Sequence, residues 1–128
     1  MRLLLDTQVW LWWLTNPDRL SRPADAALRA PDNRLHLSPA STWELVVKSA
    51  TGRLEIEGSV GALLEEAIIA SGVQPLPIEH SHALQLAQLP PHHRDPFDRM
   101  LIAQAQVDRL VLVSADRRLA DYDVEILW

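Results

Sequence analysis

Short apolar runs alternate along this chain with longer stretches that have the spacing of helices. The apolar runs predict strands at residues 2–5, 35–37, 73–78, 110–113 and 124–127. The stretches between them predict helices at residues 7–14, 21–30, 39–52, 59–71 and 79–87, a further helix that begins after Asp95, and a helical turn at 117–120. This alternation is typical of an α/β fold. We expect an α/β/α sandwich whose central parallel sheet has about five short strands.

The helix that follows Asp95 is the most distinctive segment. Asp95 can cap free backbone N–H groups, and Pro96 fits the first helical position. Asp98 then falls in the first turn, ahead of the run MLIAQAQV, which is apolar on nearly every side. The pattern therefore places a carboxylate at the start of a buried helix. A purely structural alternative is that Asp98 only completes the cap with Asp95.

Four acidic residues occupy equivalent places relative to the predicted elements. Asp6 and Asp116 follow strands, whereas Glu44 and Asp98 lie near the starts of helices that follow a strand or a loop. Ligands in parallel sheets bind beyond the carboxyl ends of the strands. We therefore expect all four side chains to converge on one edge of the sheet.

Glu44 also has two ordinary structural interpretations. Ser41 and Glu44 have the spacing of a capping box, and Glu44 with Lys48 has the spacing of an ion pair along a helix. Taken alone, these interpretations are favoured for this residue. Only the combination of Glu44 with the other three acids suggests a catalytic or metal-binding role.

Length and composition narrow the class of protein. The chain has 128 residues, which fits one domain spanning 1–128, and it contains no cysteine, which excludes disulfides, thiol catalysis and Cys-ligated metals. Its apolar N-terminus is interrupted at Asp6, unlike a signal peptide or a membrane span. We expect a cytoplasmic protein with no membrane contact. The formal net charge of −5 argues against a broad phosphate-binding surface but allows a metal-neutralised site.

Crowded carboxylates require a cation, because like charges a few Å apart raise one another's pKa. Mg²⁺ or Mn²⁺ would suit oxygen ligands of this kind and can bind phosphate oxygens as well. The chain carries no competing nucleophile or phosphate-binding motif. A haloacid dehalogenase phosphatase needs D-x-D after its first strand, where this chain has Asp6-Thr7-Gln8. A receiver domain needs paired early acids and a late lysine, which are also missing.

Four segments together resemble the PIN-domain nucleases, specifically the VapC-like toxins of bacterial type II toxin–antitoxin pairs. They are LLLDTQVWLWWL, SPASTWELVVKSATGRLEI, LPPHHRDPFDRMLIAQA and LVLVSAD, in family order and over nearly the whole chain. Ser114 stands where the family usually has a threonine that contacts the site, and Gln8 stands where a histidine is common, a position we interpret as peripheral. The resemblance assigns the family's acidic quartet to Asp6, Glu44, Asp98 and Asp116.

The resemblance implies a divalent-metal-dependent endoribonuclease that cleaves RNA phosphodiesters with a metal-activated water and leaves a 5′-phosphate and a 3′-hydroxyl. Asp6, Asp98 and Asp116 would be the main metal ligands, with Mg²⁺ as the expected cofactor and Mn²⁺ as the alternative. Glu44 would complete the charge and orient the water. The alternative function is a non-catalytic domain that binds a partner through its apolar helices.

Neighbours of the quartet are interpreted as structural. Asp95 is explained by capping, and Arg99 is expected to be an ion-paired surface residue rather than a phosphate contact. His92 and His93 lie in a proline-flanked loop, where adjacent histidines usually hydrogen-bond only locally. We therefore leave both histidines out of the predicted site.

The predicted first helix, residues 7–14, has no polar face. A helix that packs on one sheet buries only a stripe of its own surface. We therefore expect some side chains of this helix, Trp12 and Trp13 included, to contact another chain or to be exposed. Alternatively, Trp12 or Trp13 packs beneath a neighbouring helix of the same domain. The resemblance implies a homodimer and a cognate antitoxin, and we expect residues 7–14 and part of 59–71 to form a partner contact.

Overall fold

The computed structural model describes all 128 residues and contains one five-stranded sheet. Every neighbouring pair of strands is parallel, in the order β3-β2-β1-β4-β5. The predicted α/β class is confirmed. The strands are β1 (Arg2–Leu5), β2 (Arg34–Leu37), β3 (Gln74–Pro75), β4 (Val111–Val113) and β5 (Ile126–Leu127).

Six α-helices and three short 3₁₀ segments connect the strands. The 3₁₀ segments are Pro17–Arg19, Leu86–Gln88 and Arg117–Asp121. No helix is both long enough and apolar enough to cross a membrane. The α-helices are α1 (Thr7–Thr15), α2 (Arg22–Arg29), α3 (Pro39–Ala50), α4 (Val60–Ser71), α5 (His80–Gln85) and α6 (Pro96–Asp108).

Side-chain caps fix where most of these helices begin. Each capping side chain accepts a hydrogen bond from a backbone N–H in the first turn, which would otherwise lack a partner. The capping-box interpretation of Ser41 with Glu44 is wrong, because Ser38 caps α3 and Ser41 lies inside the helix. The capping residues are Asp6, Ser21, Ser38, Ser59 and Asp95.

The sheet is buried on both faces, which gives the predicted three layers. Leu3 and Leu5 of β1 pack with Trp10 in one apolar cluster. Leu4 points to the opposite face and packs with Leu101 in the other cluster. Successive side chains of a strand face opposite ways, so an unbroken apolar run is what a central parallel strand requires.

Strand β3 lies at the edge of the sheet and is shorter than the predicted strand at 73–78. Its last ladder hydrogen bond runs from the Leu76 N–H to the Leu37 carbonyl at 2.9 Å. Pro77 has no N–H to donate and cannot continue the ladder. Prolines are tolerated here because the outer side of an edge strand has no partner strand.

Candidate active site

The carboxyl edge of the sheet carries a cavity of about 350 Å³. Asp6 reaches it from the end of β1 and Asp116 from the loop after β4. Glu44 of α3 and Asp98 of α6 complete its acidic lining. The structure thus brings together all four acids on which the sequence prediction depended, although they are spread over most of the chain.

Asp6 is held in a fixed orientation. One carboxylate oxygen, Oδ1, accepts the backbone N–H of Val9 at 2.9 Å and caps α1, while Oδ2 accepts a hydrogen bond from the Ser114 hydroxyl. The residue is only 6% exposed. Burial raises the pKa of the Asp6 carboxyl, although the hydrogen bonds from Ser114 and the start of α1 act in the opposite direction.

Ser114 connects two acids of the cavity. Its Oγ donates to Asp6 and accepts the backbone N–H of Asp116 at 3.1 Å. The contact expected of this hydroxyl is therefore present. Serine supplies the same donor and acceptor atom as the threonine common at this position.

Glu44 is buried in α3, at 6% exposure, and only one of its oxygens has a partner. Oε2 pairs with Lys48 Nζ at 2.7 Å, as the helical spacing predicts. Oε1 is buried without a hydrogen-bond partner. A buried carboxylate oxygen without a partner has a large desolvation cost, so it is a natural place for a cation to bind.

Asp98 lies in the first turn of α6, behind its capping residue. Asp95 Oδ1 accepts the backbone N–H groups of Phe97 and Asp98 at 2.8 and 3.2 Å, so the capping role of Asp95 is confirmed. Burial raises the pKa of the Asp98 carboxyl to about 7, with further increases from the charges of Asp95, Asp6 and other acids. Charge crowding contributes as expected, but burial is the larger cause.

Asp116 is the acid of the cavity whose charge an arginine compensates. Both of its oxygens are bound by Arg118, at 3.0 Å to Nε and 2.8 Å to Nη2. The Arg118 hydrogen bond lowers the pKa of the Asp116 carboxyl to about 2. The cavity therefore contains one carboxyl with a lowered pKa beside Asp98, whose pKa is raised.

His93, left out of the site predicted from sequence, lies beside Asp98 and Asp116. Its side chain is buried, and Nε2 lies 3.0 Å from Asp98 Oδ2 and 3.4 Å from Asp116 Oδ2, without hydrogen-bond alignment to either. Nδ1 accepts the backbone N–H of Asp95 at 3.1 Å. The available signal was its position two residues before the cap, where the loop turns back toward the start of α6.

Other loop residues have structural roles. Arg99 donates to the carbonyls of Pro90 and His93 at 3.0 and 3.3 Å, so the prediction of an ion-paired surface residue is wrong. Through these hydrogen bonds, Arg99 instead stabilises the loop before α6. His92 lies outside the cavity against the ring of Tyr122.

Gln8, interpreted from sequence as peripheral, lines the cavity. It is exposed and follows Thr7 at the start of α1. Its position gives it access to a molecule bound in the cavity, while the acids lie deeper.

These donors fit a hard divalent cation. Carboxylate oxygens are the ligands that Mg²⁺ and Mn²⁺ prefer. The unpartnered Oε1 of Glu44 and the raised pKa values of Asp6 and Asp98 both indicate negative charge that lacks compensation in the protein itself. His93, Asp98 and Asp116 have potential ligand atoms within 4.8 Å of one another.

Comparison with solved structures identifies the same fold in several VapBC complexes. The chain superposes on a chain of VapBC2 from Rickettsia felis bound to promoter DNA with a TM-score of 0.73, 14% identity and coverage of 98% of this chain and 97% of that one. DNA-bound VapBC from Salmonella typhimurium gives a TM-score of 0.72 at 18% identity, covering 98% and 96%. At these identities the likeness establishes the fold.

Sequence comparison establishes more than the fold. Ribonuclease VapC22 of Mycobacterium tuberculosis is 32% identical over 121 residues, covering 94% of this chain and 91% of that protein. The model of the PIN domain family matches residues 3–125. These two matches, over nearly the whole length, lead to one conclusion: the chain belongs to the PIN domain family.

Proposed function

We propose that this protein is the ribonuclease toxin of a toxin–antitoxin pair and that it cuts RNA phosphodiesters with the help of a divalent cation. The observation that carries the proposal is the convergence of Asp6, Glu44, Asp98 and Asp116 on one cavity. The 32% identity to a protein named ribonuclease VapC22 supports it. A non-catalytic interaction domain is not favoured, because it would have no use for four carboxylates around one cavity.

The four acids would hold the cation, with Mg²⁺ as the first choice and Mn²⁺ as the alternative. When bound, the ion would lower the pKa of a water molecule and shield negative charge on the phosphodiester. Asp6, Asp98 and Asp116 would be the main ligands. Glu44 Oε1, which has no other partner, would complete the negative charge and accept a hydrogen bond from the attacking water.

The rest of the cavity orients these acids and receives the substrate. The hydrogen bonds of Asp6 to Ser114 and to the start of α1 keep its carboxylate from rotating. Lys48 and Arg118 place positive charge on the same cavity, where a phosphate of the RNA would bind. Cleavage would leave a 5′-phosphate and a 3′-hydroxyl, as the family resemblance implies.

An antitoxin is the expected protein partner, because the solved structures with this fold include VapBC complexes and a toxin–antitoxin complex from Klebsiella pneumoniae. We also propose a homodimer. Both contacts need apolar surface, and α1 and α4 supply it through Leu14, Leu63 and Ile69, which are exposed.

Asp98→Asn tests the catalytic proposal most directly. The substitution keeps the size of the side chain but removes the charge, so cleavage of RNA should fall at least about 100-fold, beyond the range typical of residues that only support metal ligands. Asp95→Asn is the matched control, since it makes the same change three residues earlier and asparagine caps helices about as well as aspartate.

The assay follows cleavage of total RNA with Mg²⁺, alongside melting temperatures of both variants. We expect the Asp95→Asn protein to cut like the wild type and the Asp98→Asn protein to stay folded but inactive. Full activity of Asp98→Asn, or of the wild type in excess EDTA, would contradict the proposal. If Asp95→Asn is equally inactive with an unchanged melting temperature, Asp95 itself belongs to the site.

A further inference from the structure

One tryptophan ring lines the acidic cavity and contacts a second tryptophan outside it. Trp12 of α1 lines the cavity, and Trp128, just after β5, contacts Trp12 with ring centroids 5.9 Å apart and planes tilted by 44°. The guanidinium carbon of Arg19 lies 4.7 Å from the centroid of the Trp12 ring. Trp12 thus contacts both a cation and a second indole.

Trp128 faces a second cavity, of about 520 Å³. The two cavities share Ala115 and Asp116 in their linings. An elongated ligand that enters the acidic cavity can therefore continue past Asp116 to the Trp128 ring. Trp128 is 38% exposed, so part of its apolar surface is available to such a ligand.

Two arginine side chains line the two cavities. Arg117 lines the second cavity, is exposed and forms no ion pair. Arg118 lines the first cavity. The chain has a net charge of −5, so these arginines form a local positive region on an acidic protein. Positive charge can bind the phosphate backbone of a nucleic acid, and the neighbouring aromatic rings can stack on its bases.

We propose that Trp128, supported from behind by Trp12, is a stacking platform for the nucleobase that lies next to the cleaved phosphodiester. Arg117 contacts the adjoining backbone phosphate. The inference rests on the proposed ribonuclease function and places an unpaired base of the RNA on the ring, because only an unpaired base can leave its helical stack to lie on a side chain. The platform favours neither purines nor pyrimidines by hydrogen bonding.

The test measures binding of a short single-stranded RNA that the wild-type protein cuts, by fluorescence anisotropy in an Asp98→Asn background with Mg²⁺. Trp128→Leu keeps an apolar side chain but removes the ring, and it should weaken binding about 5- to 150-fold, the range for loss of one stacked base. Trp128→Phe keeps a ring and should restore most of the affinity. Trp43→Leu is the control, because Trp43 is 61% exposed and lines neither cavity.

A set of RNAs with single abasic positions locates the base. In the Asp98→Asn protein, one abasic position beside the cleaved bond should weaken binding, and the same RNA should show no additional loss when Trp128→Leu is also present. This non-additivity identifies direct contact between ring and base. Arg117→Ala should reduce the dependence of binding on salt.

These experiments distinguish failure of the stacking platform from failure of the proposed ribonuclease function. If the wild type cuts no RNA, the ribonuclease function fails, and the platform fails with it. If the wild type cuts RNA but Trp128→Leu binds as well as its parent, or if Trp43→Leu weakens binding equally, only the platform is refuted. Loss of antitoxin binding in Trp128→Leu, with unchanged RNA binding, would assign the surface to a protein partner and also refute it.

Discussion

One hydrogen bond decides the tautomer of His93. Because Nδ1 accepts the Asp95 N–H, a ring N–H can lie only on Nε2, which faces Asp98 and Asp116. A nitrogen that carries a proton has no lone pair for a metal ion. We therefore infer that the Nε2–H of His93 faces the two carboxylates without an aligned hydrogen bond to either, and that His93 does not join them as a ligand.

Long-range ¹H–¹⁵N NMR of labelled protein at neutral pH can test this inference. We expect the His93 ring to carry its proton on Nε2, both without a cation and with saturating Mg²⁺. His93→Gln offers an N–H donor at a similar distance, so it should retain more Mn²⁺ affinity than His93→Ala. A shift of the proton to Nδ1 on addition of the cation would show that Nε2 is a ligand after all.

Individual site residues differed in how well the sequence could reveal them. Asp6 and Asp116 were predictable because the carboxyl ends of parallel strands meet at one edge. His93 was not, because its burial depends on contacts that are distant in sequence, including the 2.8 Å hydrogen bond from its backbone N–H to the Tyr122 hydroxyl. The position of His93 two residues before the cap indicates that the loop is near the start of α6, but it carries no information about this distant contact.

Among the elements, α4 carries the most exposed large apolar side chain, and α1 was predicted from sequence to have no polar face. Within α1, Val9 and Trp10 are fully buried, while Trp12 and Trp13 are half-buried against the core. The rings are therefore partly covered by their own chain. On α4, Ile69 is 75% exposed and Leu63 is 42% exposed, so this helix offers apolar area that a partner could cover.

Ile69→Ser tests whether α4 forms a partner contact. We expect the wild-type protein to be a dimer in light scattering, and the substitution to weaken the dimer or the complex with the antitoxin, because it removes apolar contact area. Leu84→Ser on α5 is the matched control, since Leu84 is 72% exposed. A wild type that stays monomeric at all concentrations would contradict the dimer. Equal behaviour of the two variants would exclude α4 from the contact.

Helix starts were predictable from sequence, whereas strand lengths were not. Ser21, Ser59 and Asp95 cap the helices that their chemistry predicts. The predicted strand at 124–127 is reduced to Ile126–Leu127, because a strand extends only as far as its neighbour offers partners. Capping depends on local residues, but pairing depends on the length of the adjacent strand.

At the scale of the whole molecule, the acidic cavity makes stability depend on pH. The folded protein holds a proton on Asp98 up to a pKa of about 7, whereas an unfolded aspartate releases it near pH 4. Between these values the folded state binds more protons, so the free energy of unfolding falls as pH rises. The loss for Asp98 is at most about 4 kcal/mol, and Asp6, whose pKa is also raised, acts in the same direction.

Melting temperatures in EDTA should therefore fall between pH 5 and pH 8, and the fall should be smaller in Asp98→Asn. Mg²⁺ should raise the melting temperature more at pH 8 than at pH 5, because protons compete with the cation for the same oxygens. An EDTA-treated wild type with the same melting temperature at both pH values would contradict the raised pKa of Asp98.

The position of β1 between β2 and β4 has a consequence for how the protein is made. Asp6 and its partner hydroxyl, Ser114, lie 108 residues apart, and Ser114 arrives with β4, which pairs directly with β1. A nascent chain emerges N-terminus first, so it cannot complete the acidic cavity until β4 has left the ribosome. Synthesis itself thus delays the appearance of the complete site.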